Sequence, residues 1–268
     1  MNRARAMVRQ LMRIGVVAAL AACGDEPNAP EQPGQPSQPF VLSEPVASAG
    51  VSPAGPATAA PTARTGDPVV FVSVPPGTAP EGTGATITNQ ASGLEVVAAL
   101  RDGGIDPVPV PASVGDTITV TIPTATGPAV QLKAAVPARR APVVVRTIPP
   151  RGGTDVPLNQ IIVVVFSEPL AAPSVGQASI QLLRDGIAVA GTVRLLDSSH
   201  VTAAFVPAAQ LQPNARYRLA VSGTVSDLDG DRLDAAVDLD LTTGSSLLGP
   251  VTSVAVSPAS IAIPVGRL

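Results

Sequence analysis

The densest grouping of potential ligand atoms in this sequence is Asp227-Leu228-Asp229-Gly230-Asp231, with Asp234 close behind. Alternate Asp side chains fall on one side of an extended loop, and a hard cation such as calcium draws about six to eight oxygens from carboxylates, carbonyls and water. The spacing departs from an EF-hand loop, because the glycine follows the second Asp instead of the third and no Glu stands at the twelfth position. Three carboxylates undersupply such an ion. The favoured expectation is therefore a solvated turn between two strands, with Gly230 supplying positive φ and no metal bound; Asp227, Asp229 and Asp231 are the residues that calcium would use. Catalytic chemistry is poorer still. The single histidine, His200, follows Asp197-Ser198-Ser199 at a turn into a strand, with no nucleophile elbow and no second histidine beside it. It reads as an exposed turn residue, and no catalytic residue is assigned. Other paired carboxylates fall in hairpin turns and on outward strand positions, where solvated charge explains them. The chain's one cysteine, Cys23, cannot form an internal disulfide and needs another explanation.

That explanation lies in the residues before it. Arg3, Arg5, Arg9 and Arg13 make a positive leader, Ile14 to Ala19 form an apolar run too short to span a bilayer, and Leu20-Ala21-Ala22-Cys23 is a small-residue cleavage site. Residues 1–22 thus have the pattern of an export signal, and its end resembles the lipobox of bacterial lipoproteins. The resemblance implies that Cys23 is thioether-linked to diacylglycerol, becomes the first residue after cleavage and is usually N-acylated as well. Membrane lipid is then a partner, because two or three acyl chains anchor stably where one holds only marginally. Gly24 stands where an Asp retains enterobacterial lipoproteins at the inner membrane, so the outer membrane or cell surface is the expected address. An ordinary secretory peptide with an incidental cysteine is the competing reading.

Composition limits what the rest of the chain can be. In 268 residues there are 30 Pro and 24 Gly, so turns, linkers and strand boundaries must be frequent and long helices few. With four Phe, one Tyr and no Trp, the core must come from Val, Leu, Ile and Ala, which suits antiparallel sheets and disfavours an aromatic-lined enzyme cavity or a carbohydrate-stacking platform. The formal charge is −3, and removal of the four leader arginines takes it to −7. Nucleic acid is not an expected partner, since phosphate backbones are bound by clustered Lys and Arg.

These groups must be positioned by β structure. Gly24 to Thr65 carries nine prolines and only Phe40 as an aromatic, so residues 23–65, from the lipidated Cys onward, read as a disordered Pro/Ala-rich spacer without a core. Residues 66–138 read as a small β domain with strands near Val69–Val74, Ala85–Thr88, Leu94–Leu100, Thr117–Ile122 and Ala129–Val136. Pro137 to Pro142 follows as a short hinge. Residues 142–243 give seven strands, near Val143–Ile148, Gln160–Phe166, Ser179–Arg184, Ile187–Leu195, Val201–Val206, Arg216–Val225 and Ala236–Thr242. Leu211-Gln212-Pro213-Asn214-Ala215-Arg216-Tyr217 has the spacing of a tyrosine corner, in which a phenol at a strand start bonds back to upstream backbone.

Several blocks of residues 142–243 resemble, in order, the SbsA-type bacterial Ig-like domain. They are Ile148-Pro149-Pro150 with Asp155-Val156-Pro157, Phe166-Ser167-Glu168-Pro169-Leu170, Phe205-Val206-Pro207, Leu211 to Tyr217, and Val225 to Asp231 before Leu241-Thr242-Thr243. The Asp229-Gly230-Asp231 turn departs from that pattern. Glu168, within the Phe-Ser-Glu-Pro block, is expected to cap or fix a loop. Residues 66–138 resemble bacterial Ig-like surface modules less specifically, through Gly84 to Asn89 and Gly115 to Val120. Residues 250–268 resemble the opening of a group 2 bacterial Ig-like domain that stops incomplete. The fold expected is all-β, tandem Ig-like antiparallel sandwiches after a signal peptide and linker. The resemblance implies a non-catalytic, lipid-anchored envelope or cell-surface protein serving as stalk, adhesion or envelope-layer component, with a surface protein or polymer as partner. The alternative is that these modules are spacers of a longer surface enzyme whose catalytic domain lies beyond residue 268.

Overall fold

The computed structural model describes residues 40–47 and 66–249. The leader, Cys23, the rest of the spacer and the segment 250–268 lie outside the described residues.

Eight strands build the first module: β1 (Val41–Leu42), β2 (Val46–Ala47), β3 (Pro68–Val74), β4 (Gly84–Asn89), β5 (Leu94–Ala99), β6 (Ile105–Pro111), β7 (Thr117–Ile122) and β8 (Val130–Ala135). One sheet runs β5-β4-β7-β8; in the other, β3 pairs β1 and β2 along one side and β6 along the opposite side. Alternation sets the faces. In β7, Ile118, Val120 and Ile122 point inward while Thr117, Thr119 and Thr121 stay half-buried, and Ile87 of β4 sits opposite Val120. The continuous apolar run of β3 is buried along almost its whole length because both of its faces are covered.

Two features of this module depart from the sequence expectation. Residues 40–47, read as spacer, are part of the fold: Phe40, Val41 and Leu42 are buried, and β1 aligns Val41 with Ser73 and Leu42 with Val72. Ser43 locks this strap to β3, its N–H donating to the Phe71 carbonyl at 3.0 Å and its Oγ accepting from the Phe71 N–H at 2.8 Å. A single Phe-Val-Leu triplet suffices because it fills space that β3 already lines. The second departure is β6, which the sequence reading passed over because Pro107, Pro109 and Pro111 alternate through it. Alternate residues of a strand turn their N–H groups to opposite sides, so Val108 and Val110 face β3 while the prolines, with nothing to donate, occupy the outer edge.

The second module also has eight strands: β9 (Val144–Ile148), β10 (Ile162–Phe166), β11 (Ile180–Arg184), β12 (Ile187–Ala188), β13 (Gly191–Leu195), β14 (Thr202–Pro207), β15 (Arg216–Val221) and β16 (Val237–Thr242). Its sheets run β13-β14-β10-β9 and β12-β11-β15-β16. Tyr217, Leu219 and Val221 of β15 lie opposite Leu241, Leu239 and Val237 of β16 on the inner face, while Arg218 and Asp240 pair across the outer face at 3.6 Å. Ile162, Val164, Phe166, Ile180, Leu182 and Phe205 complete the core between the sheets. The expected single strand 187–195 is in fact two. After Ala188 the chain leaves the β11 sheet and enters the β14 sheet at Gly191, where any side chain would run into the Phe205 ring. The strand expected to reach Val225 ends at Val221.

The connection between the modules is pinned on both sides. The Arg140 N–H donates to Glu44 Oε2 at 3.1 Å, and Arg139 forms a two-pronged ion pair with Asp231. Across the junction, Val46, Val69 and Phe71 of the first module form a small apolar cluster with Val201 of the second. Beside it, Arg146 of β9 reaches Asp106 at 2.5 Å and Asp102 at 3.6 Å, with its side chain 6% exposed. The segment read as a hinge is thus bridged by contacts between the two modules.

Candidate functional site

The acidic loop singled out in the sequence lies at this junction. Asp227 opens it: its Oδ1 accepts the N–H groups of Asp229 at 3.0 Å and Asp231 at 2.8 Å, and its own N–H donates to the Asp231 carbonyl at 3.0 Å. Gly230 takes φ 88, as the turn requires. The loop is not a freely solvated turn, however. Asp227 is buried at 3% exposure, Asp231 is half-buried and only Asp229 stands in solvent. Asp227 is drawn inward because Leu170 pairs with it as an isolated bridge, which sets its side chain against β10 and the residues that follow.

Two glutamates complete the cluster. Glu44, from the strap, is 5% exposed, and carboxylate oxygens of Glu44, Asp227 and Asp231 lie within 4.8 Å of one another. Glu168 is fully buried next to them. Ser167 Oγ donates to Glu168 Oε1 at 3.4 Å, a long contact, while Glu168 Oε2 and Asp227 Oδ2 have no hydrogen-bond partner. Glu168 does not cap a loop; it is a carboxyl group held in the interior. Burial, then the charges of Asp227 and Glu44, push its pKa up to about 8, against the smaller pull of Ser167 and Arg140. Burial also raises Glu44, helped by a hydrogen bond with Asp229 and opposed by the Arg140 N–H. Asp227 is raised by burial despite its backbone donors. Asp231 goes the other way, held low by the Arg139 hydrogen bonds.

Such a constellation stores protons or binds cations. Among the described residues no histidine or thiol joins it, and its one hydroxyl, Ser167 Oγ, is fully buried, accepting the Val143 N–H and donating to Glu168. His200 is not among the clustered ligand atoms; read as an exposed turn residue, it is half-buried in a loop at φ 56, where its carbonyl accepts the Leu170 N–H at 3.0 Å. Its part is to close the turn before β14. An open groove on the outer face of the β15–β16 sheet, lined by Arg216, Arg218, Asp240 and Asp185, offers paired surface charge and no catalytic pair. All five aromatic residues, Phe40, Phe71, Phe166, Phe205 and Tyr217, are buried, so no ring is presented to stack on a ligand.

At the tyrosine corner, the Gln212 N–H donates to the Tyr217 hydroxyl at 2.7 Å, and Thr243 Oγ1 donates to the Gln212 carbonyl at 2.6 Å. Leu211 is buried beneath this network, while Pro213 is exposed at its rim. Cys23 lies outside the described residues.

The sequence reading missed Glu44, Arg139, Arg140 and Arg146 as site residues. Glu44 carried one faint signal, its place two residues after Phe40-Val41-Leu42, the apolar triplet that holds the spacer's single aromatic.

Two antiparallel sandwiches joined in tandem, each with strands exchanged between two facing sheets, define an Ig-like architecture. Comparison with known proteins agrees for the second module: the bacterial Ig-like domain family matches residues 138–243. Among solved structures, similarity extends to the S-layer protein rSbsC, with 16% identity over 39% of this chain and 14% of that one, at a TM-score of 0.31. A biofilm-associated protein BSP domain shares 17% identity over 68% of this chain and 28% of that one, at a TM-score of 0.31. A chimeric titin Z1Z2 shares 12% identity over 81% of this chain and all of that one, at 0.23. The chain thus spans well under a third of the S-layer and biofilm chains. None of the curated proteins matches.

Proposed function

We propose that this is a non-catalytic, lipid-anchored protein of the bacterial envelope, exported, tethered through Cys23 and displaying its Ig-like modules at the outer membrane or cell surface as a stalk or adhesion element. The observation that carries the reading is the set of contacts that bridges the two modules. Apolar contact, the Arg146 ion pairs and the Arg139–Asp231 pair all bridge the two sandwiches. A rigid tandem extends reach in a way that two loosely linked beads do not. The family match supports a modular surface role, and the burial of every aromatic ring argues against a sugar-stacking face. A surface protein or polymer is the partner this role implies, with nucleic acid disfavoured by the net negative charge.

Anchoring is tested by replacing the acylated residue. Cells expressing the wild type should incorporate labelled palmitate into the protein and carry it into the detergent phase, and Cys23→Ser should abolish both. Equal partitioning of the two forms would refute the lipid anchor.

A further inference from the structure

We propose that the joint between the two modules is a binding site for a hard divalent cation, calcium above all, held by Glu44 of the first module and by Asp227 and Asp231 of the second, with Glu168 behind them. The sequence offered three aspartates of one loop, with nothing to show that they fold around a common centre. The fold changes the donor set: Glu44 arrives from the opposite module to join Asp227 and Asp231, and exposed Asp229 hydrogen-bonds the Glu44 carboxyl at the rim. Oxygens of Glu44, Asp227 and Asp231 within 4.8 Å of one another fit ligands arrayed about a centre roughly 2.3–2.6 Å from each.

A second observation is independent of that clustering. Glu168 is 0% exposed and Asp227 3% exposed, yet Glu168 Oε2 and Asp227 Oδ2 have no hydrogen-bond partner. Buried carboxylate oxygens are ordinarily satisfied, and an unpaired one is costly. Asp227 Oδ1 is already committed to two loop N–H groups, which fixes the carboxylate and leaves Oδ2 as its open ligand position. Five carboxyl groups, Asp229 included, face only two arginines here. Of these, Arg139 holds Asp231 from the solvent side with its own side chain 71% exposed, so it is free to yield that oxygen. Calcium suits the site better than magnesium, because ligands from two modules form an irregular set and magnesium demands a near-ideal octahedron. Water and loop carbonyls complete the shell. The ion would tie the modules together, a role that stands whether or not Cys23 is acylated.

The test is calorimetric titration of the full chain, purified in detergent and stripped with a chelator, with calcium chloride. One saturable site is expected, with Kd of about 10⁻⁴ M or tighter and a rise in Tm at saturation. Glu44→Gln, which keeps the side chain's shape, should weaken binding by roughly tenfold or more, and Asp231→Asn should do the same. Asp234→Asn, in the same loop but outside the cluster, should leave it unchanged. No saturable heat up to about 10 mM calcium would overturn the proposal. So would affinity unchanged in Glu44→Gln, since that would confine any bound ion to the loop alone.

Discussion

Glu168 gives the cluster a sign that solution measurements can read. Its carboxyl is pushed from an ordinary 4.5 to about 8, first by burial and then by Asp227 and Glu44, so the folded chain holds this proton more tightly than the unfolded chain does. The stability it contributes is complete below about pH 4.5 and is lost as pH rises through about 8, an effect on the order of a few kcal/mol. In chelator, Tm should therefore fall between roughly pH 5.5 and 8.5, and Glu168→Gln, a permanent stand-in for the neutral acid, should flatten that slope. An identical slope in wild type and variant would show that Glu168 is not the titrating group. Part of this site was legible in the sequence and part was not. The Asp227 to Asp231 spacing and the positive φ of Gly230 are local, and local rules found them. The pairing of Arg139 with Asp231 spans 92 positions and that of Arg140 with Glu44 spans 96, and no local rule reaches across such separations.

At the scale of elements, the strands that alternate cleanly, such as β4, β7, β15 and β16, were readable because period two marks one inner face. The misses have physical causes. β6 hides its pairing because the three prolines occupy only the side of the strand that needs no donor. The run 187–195 reads as one strand because a change of sheet preserves extended backbone; the crossing shows only in what packs against Gly191. There, an added Cβ would fall inside contact distance of the buried Phe205 ring and of the Val206 carbonyl. Gly191→Val should thus destabilise the second module by about 1–3 kcal/mol through overpacking, read as a lowered denaturant midpoint. An unchanged midpoint would mean that β13 can shift away from β14 without loss.

For the whole molecule, Arg146 is the strut between modules. Its partners Asp106 and Asp102 are 40% and 75% exposed, so solvent screens them and the pair is worth less than a fully buried one, about 1 kcal/mol. Arg146→Met should keep the apolar stem and remove the bridge, broadening the calorimetric unfolding peak or splitting it as the modules uncouple. A single peak of unchanged width and midpoint would assign the coupling to the Val46, Phe71 and Val201 contact alone. The strap of residues 40–47 has a mechanical consequence of its own. Tension applied upstream of Phe40 meets two strands of two residues each before it meets any long ladder; their backbone pairing is to β3 alone, while Phe40, Leu42 and Val46 add apolar contact. They are the first bonds to peel. Their release withdraws Glu44 from the joint in the same motion. If the chain is tethered through Cys23 as proposed, the strap acts as a fuse: under load it yields and slackens the joint before either sandwich has to unfold.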